Sequence, residues 1–397
     1  METKDVIRNP VLLKIDLMIK GVKLPAALYK RMVEENNPLL FEGLDLEMED
    51  GIQTRVPYHD AVSVQSPYAL ESTMDAISAC GYRVPVRVVE HAALSRKKTS
   101  GGVMMSAIAH VSGKYLAVTP GRSCGFFGQK LQCAFCTAPG ITGGTSGPVG
   151  VDDVLETIRE VYKTEKPSVI VLSIDDMRAD DAGVRIAERY LRAMHRHFNV
   201  MVILEIAPPK DPGWIETAYG AGADAICLNL DVFDERLFER ICPGKAADDG
   251  RQRYMRALNY ASGIFPNGTV FTHLIIGMEP LESTINGIEY LASAGIAPIL
   301  SIFRPVLPSM MQYYIPLSVE EMLVVYKAVH CSLKRHGISS SWAKHMGFAV
   351  TPAETKLLSC KNGLKRKINL AIENSDVVDT IKAGMLRMRR SLRVKEV

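Results

Sequence analysis

The chain has 397 residues, 47% of them hydrophobic, enough to fill one large α/β unit or two ordinary domains. A net charge of +3 is too small for this length to point to nucleic acid or a membrane surface. No apolar run reaches the ~18 residues of a membrane span. The opening Glu2, Lys4, Asp5 and Arg8 lacks a secretion-signal pattern, so a cytoplasmic protein is expected.

In chain order, helical periodicity predicts helices at about 10–20 and 24–35, followed by a Pro- and Gly-punctuated stretch with a β-like run at Val84 to Val89. The apolar runs Met104 to His110 and Tyr115 to Thr119, separated by Val-Ser-Gly-Lys, read as a hairpin. Strands rich in Val, Ile and Leu are then expected at 115–120, 168–174, 199–206, 223–230, 269–276 and 297–303. Helices are expected between them at about 151–164, 181–197, 212–220, 233–241, 250–263 and 282–294. This alternation implies a parallel sheet with right-handed crossovers, open or closed into a barrel. A long helix at about 318–336 follows, and residues 338–350 are a further strand candidate. The expected organisation is an N-terminal extension over 1–114, an α/β barrel core over 115–310 and a C-terminal extension over 311–397 that completes or caps it. The barrel would be a partial (β/α)6 or a complete TIM-type form. Lys365, Arg366 and Lys367, with Arg387, Arg389, Arg390 and Arg393, make the end of the chain basic, as a solvated helix face would be.

Eight cysteines without a secretion signal argue against disulfides. Three of them crowd into thirteen residues, while Cys80, Cys227, Cys242, Cys331 and Cys360 stand singly. Eight residues separate Cys124 from Cys133, and two separate Cys133 from Cys136. The two-residue gap lets both sulfurs of one turn face the same centre. A structural zinc would need a fourth Cys or a His nearby, and Thr137 to Gly150 supplies neither. A four-iron cluster with one iron left open is the better match. The motif follows the first expected parallel strand, on the side where barrel loops carry active sites. Phe135 puts an aromatic ring against such a cluster.

The arrangement resembles the radical S-adenosylmethionine (SAM) superfamily, whose usual motif is Cys-x3-Cys-x2-Cys with an aromatic before the last cysteine. The first gap here is eight rather than three, a departure that other members show. The resemblance implies a [4Fe–4S] cluster on Cys124, Cys133 and Cys136 and SAM as cofactor. Over roughly 115–310 the chain is similar to biotin synthase-like enzymes, in the Asn229-Leu-Asp231 segment, the helix with Arg236, and the stretches Ile-Cys-Pro-Gly-Lys and Arg251-Gln-Arg-Tyr. It implies Glu205 on the ribose hydroxyls, with a core salt bridge as the alternative, and Asn229 on the cofactor. Asp231 would serve there too or cap the following helix. Gly277 would let a ligand approach the backbone. Glu279 is matched one residue early to the superfamily's acid, the alternative being a helix N-terminus. The superfamily's Gly-Gly-Glu element is missing, and Asp175 is the candidate for the methionine ammonium in its place. Arg304 would bind the methionine carboxylate or an acidic substrate group, or else a structural carboxylate. Cys227 and Cys242 could hold an auxiliary cluster or simply pack as small core residues.

By that resemblance the protein would be an enzyme that cleaves SAM reductively to a 5′-deoxyadenosyl radical and abstracts hydrogen in cofactor or small-molecule biosynthesis. Its partners would be a small-molecule substrate and an electron donor such as flavodoxin or ferredoxin. The alternatives are a non-enzymatic iron–sulfur carrier or scaffold, and a zinc-dependent barrel hydrolase.

Overall fold

The computed structural model describes residues 3–34, 43–48, 51–89, 91, 94–121, 124–136, 148–174, 178–248, 250–305, 309–311, 313–339, 342–344, 346–358, 388 and 392. Three helices open it: α1 (Thr3–Ile7), α2 (Pro10–Lys20) and α3 (Ala26–Glu34). The Asn9 side chain accepts from the Val11 N–H at the start of α2, and Pro10 stands where a missing N–H costs nothing. The helix stops at Gly21, whose φ of 70° and lack of a side chain are both needed: a Cβ there would lie 2.3 Å from Ser63 Oγ. Strands β1 (Leu44–Met48), β2 (Gln53–Val56), β3 (Ala69–Leu70), β4 (Ala76–Ala79) and β5 (Tyr82–Val88), with the short α4 (Ala61–Val64) between β2 and β3, form an antiparallel sheet in the order β2-β1-β5-β4-β3.

Helix α5 (Met105–Ile108) and the hairpin β6 (Ala109–Ser112)–β7 (Tyr115–Val118) lead into the main sheet. There follow α6 (Val151–Tyr162), β8 (Val169–Ser173), α7 (Val184–His197), β9 (Met201–Glu205), α8 (Gly213–Ala221), β10 (Ala225–Cys227) and α9 (Glu235–Ile241). After these come α10 (Pro243–Asp248), α11 (Gly250–Ser262), β11 (Val270–Ile276), α12 (Leu281–Ser293) and β12 (Ala297–Ile302). Strands β7 to β12 are parallel neighbours in chain order, and β6 adds an antiparallel edge. Val, Ile and Leu side chains of these strands are buried against the helices, so this sheet sits in the main core. All six expected strands and the helices between them are present. The strand order is linear, and β12 does not pair with β6 among the described residues. The sheet takes its first strand from the last residues of the N-terminal segment.

Residues 338–350 correct an expectation, for they form no strand among those described. Instead they lay aromatic rings on the sheet. Trp342 packs on Phe271 at 4.9 Å, and Phe348 packs on Tyr115 at 6.0 Å and on His273 at 6.4 Å between ring centroids. The preceding α13 (Val319–Arg335) starts with a capping box between Ser318 and Glu321. The following α14 (Pro352–Leu358) is tied back to α2. Lys14, fully buried, donates from Nζ to Met346 O (2.6 Å) and to Glu354 Oε1 (2.9 Å). No helix among the described residues is long and apolar enough to cross a membrane.

The N-terminal sheet is also tied by charge to the segment after α6. His91 reaches Asp45 of β1 through Nε2 at 2.5 Å and Glu165, just after α6, through Nδ1 at 2.8 Å. Burial opposes the imidazolium, but the two carboxylates outweigh it and raise His91 to about 9. A histidine held above its unfolded value of about 6.5 gives its full stabilisation below that pH and loses it as pH rises through about 9. Between about pH 6 and about pH 10, urea unfolding should therefore show wild type losing on the order of 3 kcal/mol more than His91→Gln. Equal losses in the two proteins would show that the imidazole carries no extra proton.

Candidate active site

The C-terminal ends of the parallel strands share a chain of polar contacts. Ser173 Oγ at the end of β8 donates to Glu205 Oε1 (3.0 Å) directly across the β8–β9 register, and the Asn229 side chain bonds the same carboxyl. Asn229 Oδ1 accepts from Cys227 Sγ (3.0 Å) and from the His273 N–H (3.3 Å). His273 Nδ1 is in turn 2.9 Å from Ser301 Oγ on β12. Burial pushes the Glu205 carboxyl up, with the Ser173 and Asn229 bonds opposing. Burial also pushes His273 down to about 4, so its ring is neutral near pH 7. The result is a row of polar side chains on β8 to β12.

The Asn229 contacts follow from a break in the sheet. After Cys227 the chain leaves the β10–β11 ladder and rejoins it at Asp231, where an isolated parallel bridge to Leu274 forms. Within the break, side chains take the place of backbone groups. Thr272 Oγ1 accepts from Leu230 N (2.9 Å), and Asn229 Oδ1 accepts from His273 N. Asp231 sits at φ 66°, a conformation that Asn and Asp tolerate best among non-glycine residues. Lys245 of α10 closes the corner by donating to Asn229 O (2.8 Å) and to Asp231 Oδ2 (2.5 Å). Burial opposes its charge, yet the Asp231 carboxylate keeps Lys245 protonated well above its ordinary range.

The three-cysteine loop is pinned over this corner. Ala134, between Cys133 and Phe135, donates its N–H to Ile241 O at the end of α9 (2.8 Å). Its carbonyl accepts from Met310 N and Ser309 Oγ, both 3.0 Å away, in the segment after β12. Leu131 O accepts from Gly244 N (2.9 Å). The approach requires a glycine, because a Cβ on Gly244 would lie 2.4 Å from the buried Phe126 ring. Cys133 is half-buried, and the neighbouring Cys242 thiol, with the Lys245 charge, holds its pKa below the ordinary thiol range against burial. All seven cysteines among the described residues are free thiols. No three His, Cys, Asp or Glu side chains among those residues converge on a point that one metal ion would occupy.

Of the residues singled out in the sequence, the structure brings Glu205 and Asn229 into contact and sets Cys133 beside their neighbour Lys245. Cys124 and Cys136 are half-buried on the same loop, and the half-buried Phe135 packs against the core. Asp175 lies outside the described residues. Gly277 has φ 96°, so the turn itself calls for glycine, and Leu317 stands at ordinary contact distance, 3.5 Å from where its Cβ would be. For two candidates the structure shows the structural alternative the sequence had left open. Glu279 is buried, and both its oxygens are taken: Oε1 accepts from Phe233 N (3.1 Å) and Thr284 Oγ1, Oε2 from Asp234 N (2.7 Å) and Ser283 Oγ (2.8 Å). Its carboxylate holds the β10–α9 loop to the start of α12. Arg304 is likewise structural, paired with Asp60 through Nε (2.6 Å) and Nη2 (2.7 Å) while Nη1 donates to Met18 O and Ile19 O. Lys245, Ser173, His273 and Ser301 were not foreseen. A histidine in the largely apolar run Val270–Ile276, and a lysine right after Pro-Gly, were the signals available.

Fold and site together define an α/β protein with a thiol-bearing loop over the polar ends of a parallel sheet. No family model matches the chain. Over 106 residues it is 28% identical to bacteriochlorophyllide c C-7(1)-hydroxylase of Chlorobaculum limnaeum, a match covering 26% of this chain and 26% of that protein. The chain thus matches about a quarter of that relative's length. The solved structure of methylornithine synthase aligns with 59% of this chain and 71% of its own, at 14% identity and a TM-score of 0.44.

Proposed function

We propose that this chain is a radical SAM enzyme that holds one [4Fe–4S] cluster on Cys124, Cys133 and Cys136. The observation that carries the reading is the pinning of the three-thiol loop, through Ala134 and Leu131, onto the corner where Glu205, Asn229 and Lys245 meet. The donor set fits such a cluster. Three thiols lie on one loop, one of them eased toward thiolate by a neighbouring S–H and a cation. When bound, the cluster and SAM would supply a reductively formed carbon radical able to take hydrogen from an unreactive carbon. The name of the similar hydroxylase denotes chemistry at a carbon of that kind of substrate, which is consistent with this class of reaction.

The protein's own residues position and shield. Glu205, whose carboxyl pKa burial pushes up, can accept from a hydroxyl while Ser173 and Asn229 fix its orientation. Asn229 is locked by its own contacts with Cys227 and His273, so it presents a rigid surface. Phe271, Trp342 and Phe348 form an aromatic patch beside His273 that keeps water from that side. Asp175 remains the proposed partner of the methionine ammonium. The substrate is a small molecule, and a one-electron donor such as flavodoxin or ferredoxin completes the system in the cytoplasm. A cluster carrier would present labile, exposed thiolates, whereas here the loop around Cys133 is tied down on both sides.

Anaerobic reconstitution followed by dithionite and SAM tests the proposal. Wild type should form 5′-deoxyadenosine, and Cys124→Ala, Cys133→Ala and Cys136→Ala should each lose both the product and the iron–sulfur absorption. A fully iron-loaded wild type that yields no 5′-deoxyadenosine would overturn it.

A further inference from the structure

After β12 the chain carries no charged side chain from Pro305 to Val319, between Arg304 and Glu320. Three contacts hold the described part of this run over the C-terminal strand ends. Ser309 Oγ and Met310 N donate to Ala134 O of the three-cysteine loop. Tyr314 packs edge-on against the buried Phe303, just past β12, at 5.8 Å between ring centroids. Leu317 stands against the Gly277 turn that follows β11. Between these anchors apolar side chains face solvent: Tyr313 is 89% exposed, Ile315 84% and Met310 57%. Exposed apolar residues scattered singly are ordinary, but these stand together at the rim of a candidate site, where ligand pockets are mostly apolar.

Charge decides which ligand suits this rim. Lys245 and Arg304, the cations placed at the strand ends, are already matched to Asp231 and Asp60. An acidic substrate or an acidic protein would meet no cation on the run itself, and its carboxylates would lose water without compensation. A second copy of the chain would need about 20–30 residues a side for a stable interface, far more than this short segment offers. We propose that Met310, Tyr313 and Ile315 form the substrate rim of the site and that the substrate is an uncharged, largely apolar ring compound. The inference rests on the strand-end corner being the active site of the proposed enzyme. Tyrosine faces stack on flat rings, and methionine adapts to their edges. The three side chains set specificity and need touch neither the cluster nor SAM.

Fluorescence titration of the full chain with the neutral probe N-phenyl-1-naphthylamine tests this. The double variant Tyr313→Ser with Ile315→Ser, exposed enough to leave folding intact, should bind the probe on the order of tenfold or more weakly, as loss of that apolar area predicts. Val64→Ser with Val324→Ser removes exposed apolar groups elsewhere and should stay within about twofold of wild type. Bound probe should be displaced by 2-naphthylmethanol on the order of tenfold more readily than by 2-naphthoate, whose charge finds no partner. Equal binding in wild type and the Tyr313–Ile315 variant overturns the proposal, as does equal displacement by the alcohol and the acid. A wild-type dimer in sedimentation that this variant turns into a monomer also overturns it, since a second copy would then cover the rim. Probe binding needs no cluster, so the 5′-deoxyadenosine assay separates the two readings. Product formation with probe binding that ignores the rim sinks this inference alone. Rim-dependent binding in an iron-loaded protein that forms no product upholds the apolar site and sinks the radical reading.

Discussion

Arg304→Ala should lower stability by about 3–5 kcal/mol, because it strands a buried carboxylate. Arg304 and Asp60 are 9% and 7% exposed, and their bidentate pairing is the strong geometry for guanidinium and carboxylate. The same arginine satisfies Met18 O and Ile19 O, carbonyls in the last turn of α2 that have no partner within the helix. Asp60 also caps α4 by accepting from Ser63 N (2.8 Å). One side chain at the end of β12 thus secures two helix ends of the N-terminal segment. Urea unfolding should show the loss, and the double variant Arg304→Met with Asp60→Leu should recover a large part of it, since replacing both charges removes the unpaired one. A loss under about 1 kcal/mol in the single variant would mean that the pair is solvated, as surface pairs are.

Lys245→Met should have a comparable effect, about 3–5 kcal/mol, for a related reason. It leaves Asp231 buried without its cation, at a left-handed backbone position that the lysine contacts help to hold. Asn229 O loses its donor as well, and the break between β10 and β11 loosens where Glu205 and Cys133 meet it. Stability should rise again in Lys245→Met with Asp231→Asn, which removes the uncompensated charge. The single variant should also accept a cluster less readily, because Cys133 loses the positive charge that favours its thiolate. Unfolding curves that overlay wild type would show that Asp231 finds another partner.

The parallel strands were readable because most are short, largely apolar runs rich in Val, Ile and Leu, a pattern that depends only on local sequence. The three-cysteine loop was readable because thiols at that spacing have few other uses. The five-stranded N-terminal sheet was largely hidden: only Val84 to Val89 read as β-like, and β3 is two residues long. Arg304 illustrates the main limit. Its partner Asp60 lies 244 positions away, and nothing near either residue announces the other. Glu279 lies at the start of α12, but its bonds to Phe233 and Asp234 come from another loop. Helix α10 had a local signal in Pro243 at its first position, a common helix start, and with it Lys245 could have been placed on a helix facing the site.

In the proposed enzyme one iron of the cluster has no protein ligand and receives SAM. Electron–nuclear double resonance on the reduced, reconstituted protein, with SAM isotope-labelled in its amino and carboxylate groups, addresses this directly. Coupling from both labels is the expected result, lost in Cys133→Ala. A spectrum without such coupling, accompanied by evidence for a fourth cysteine on the cluster, would contradict it.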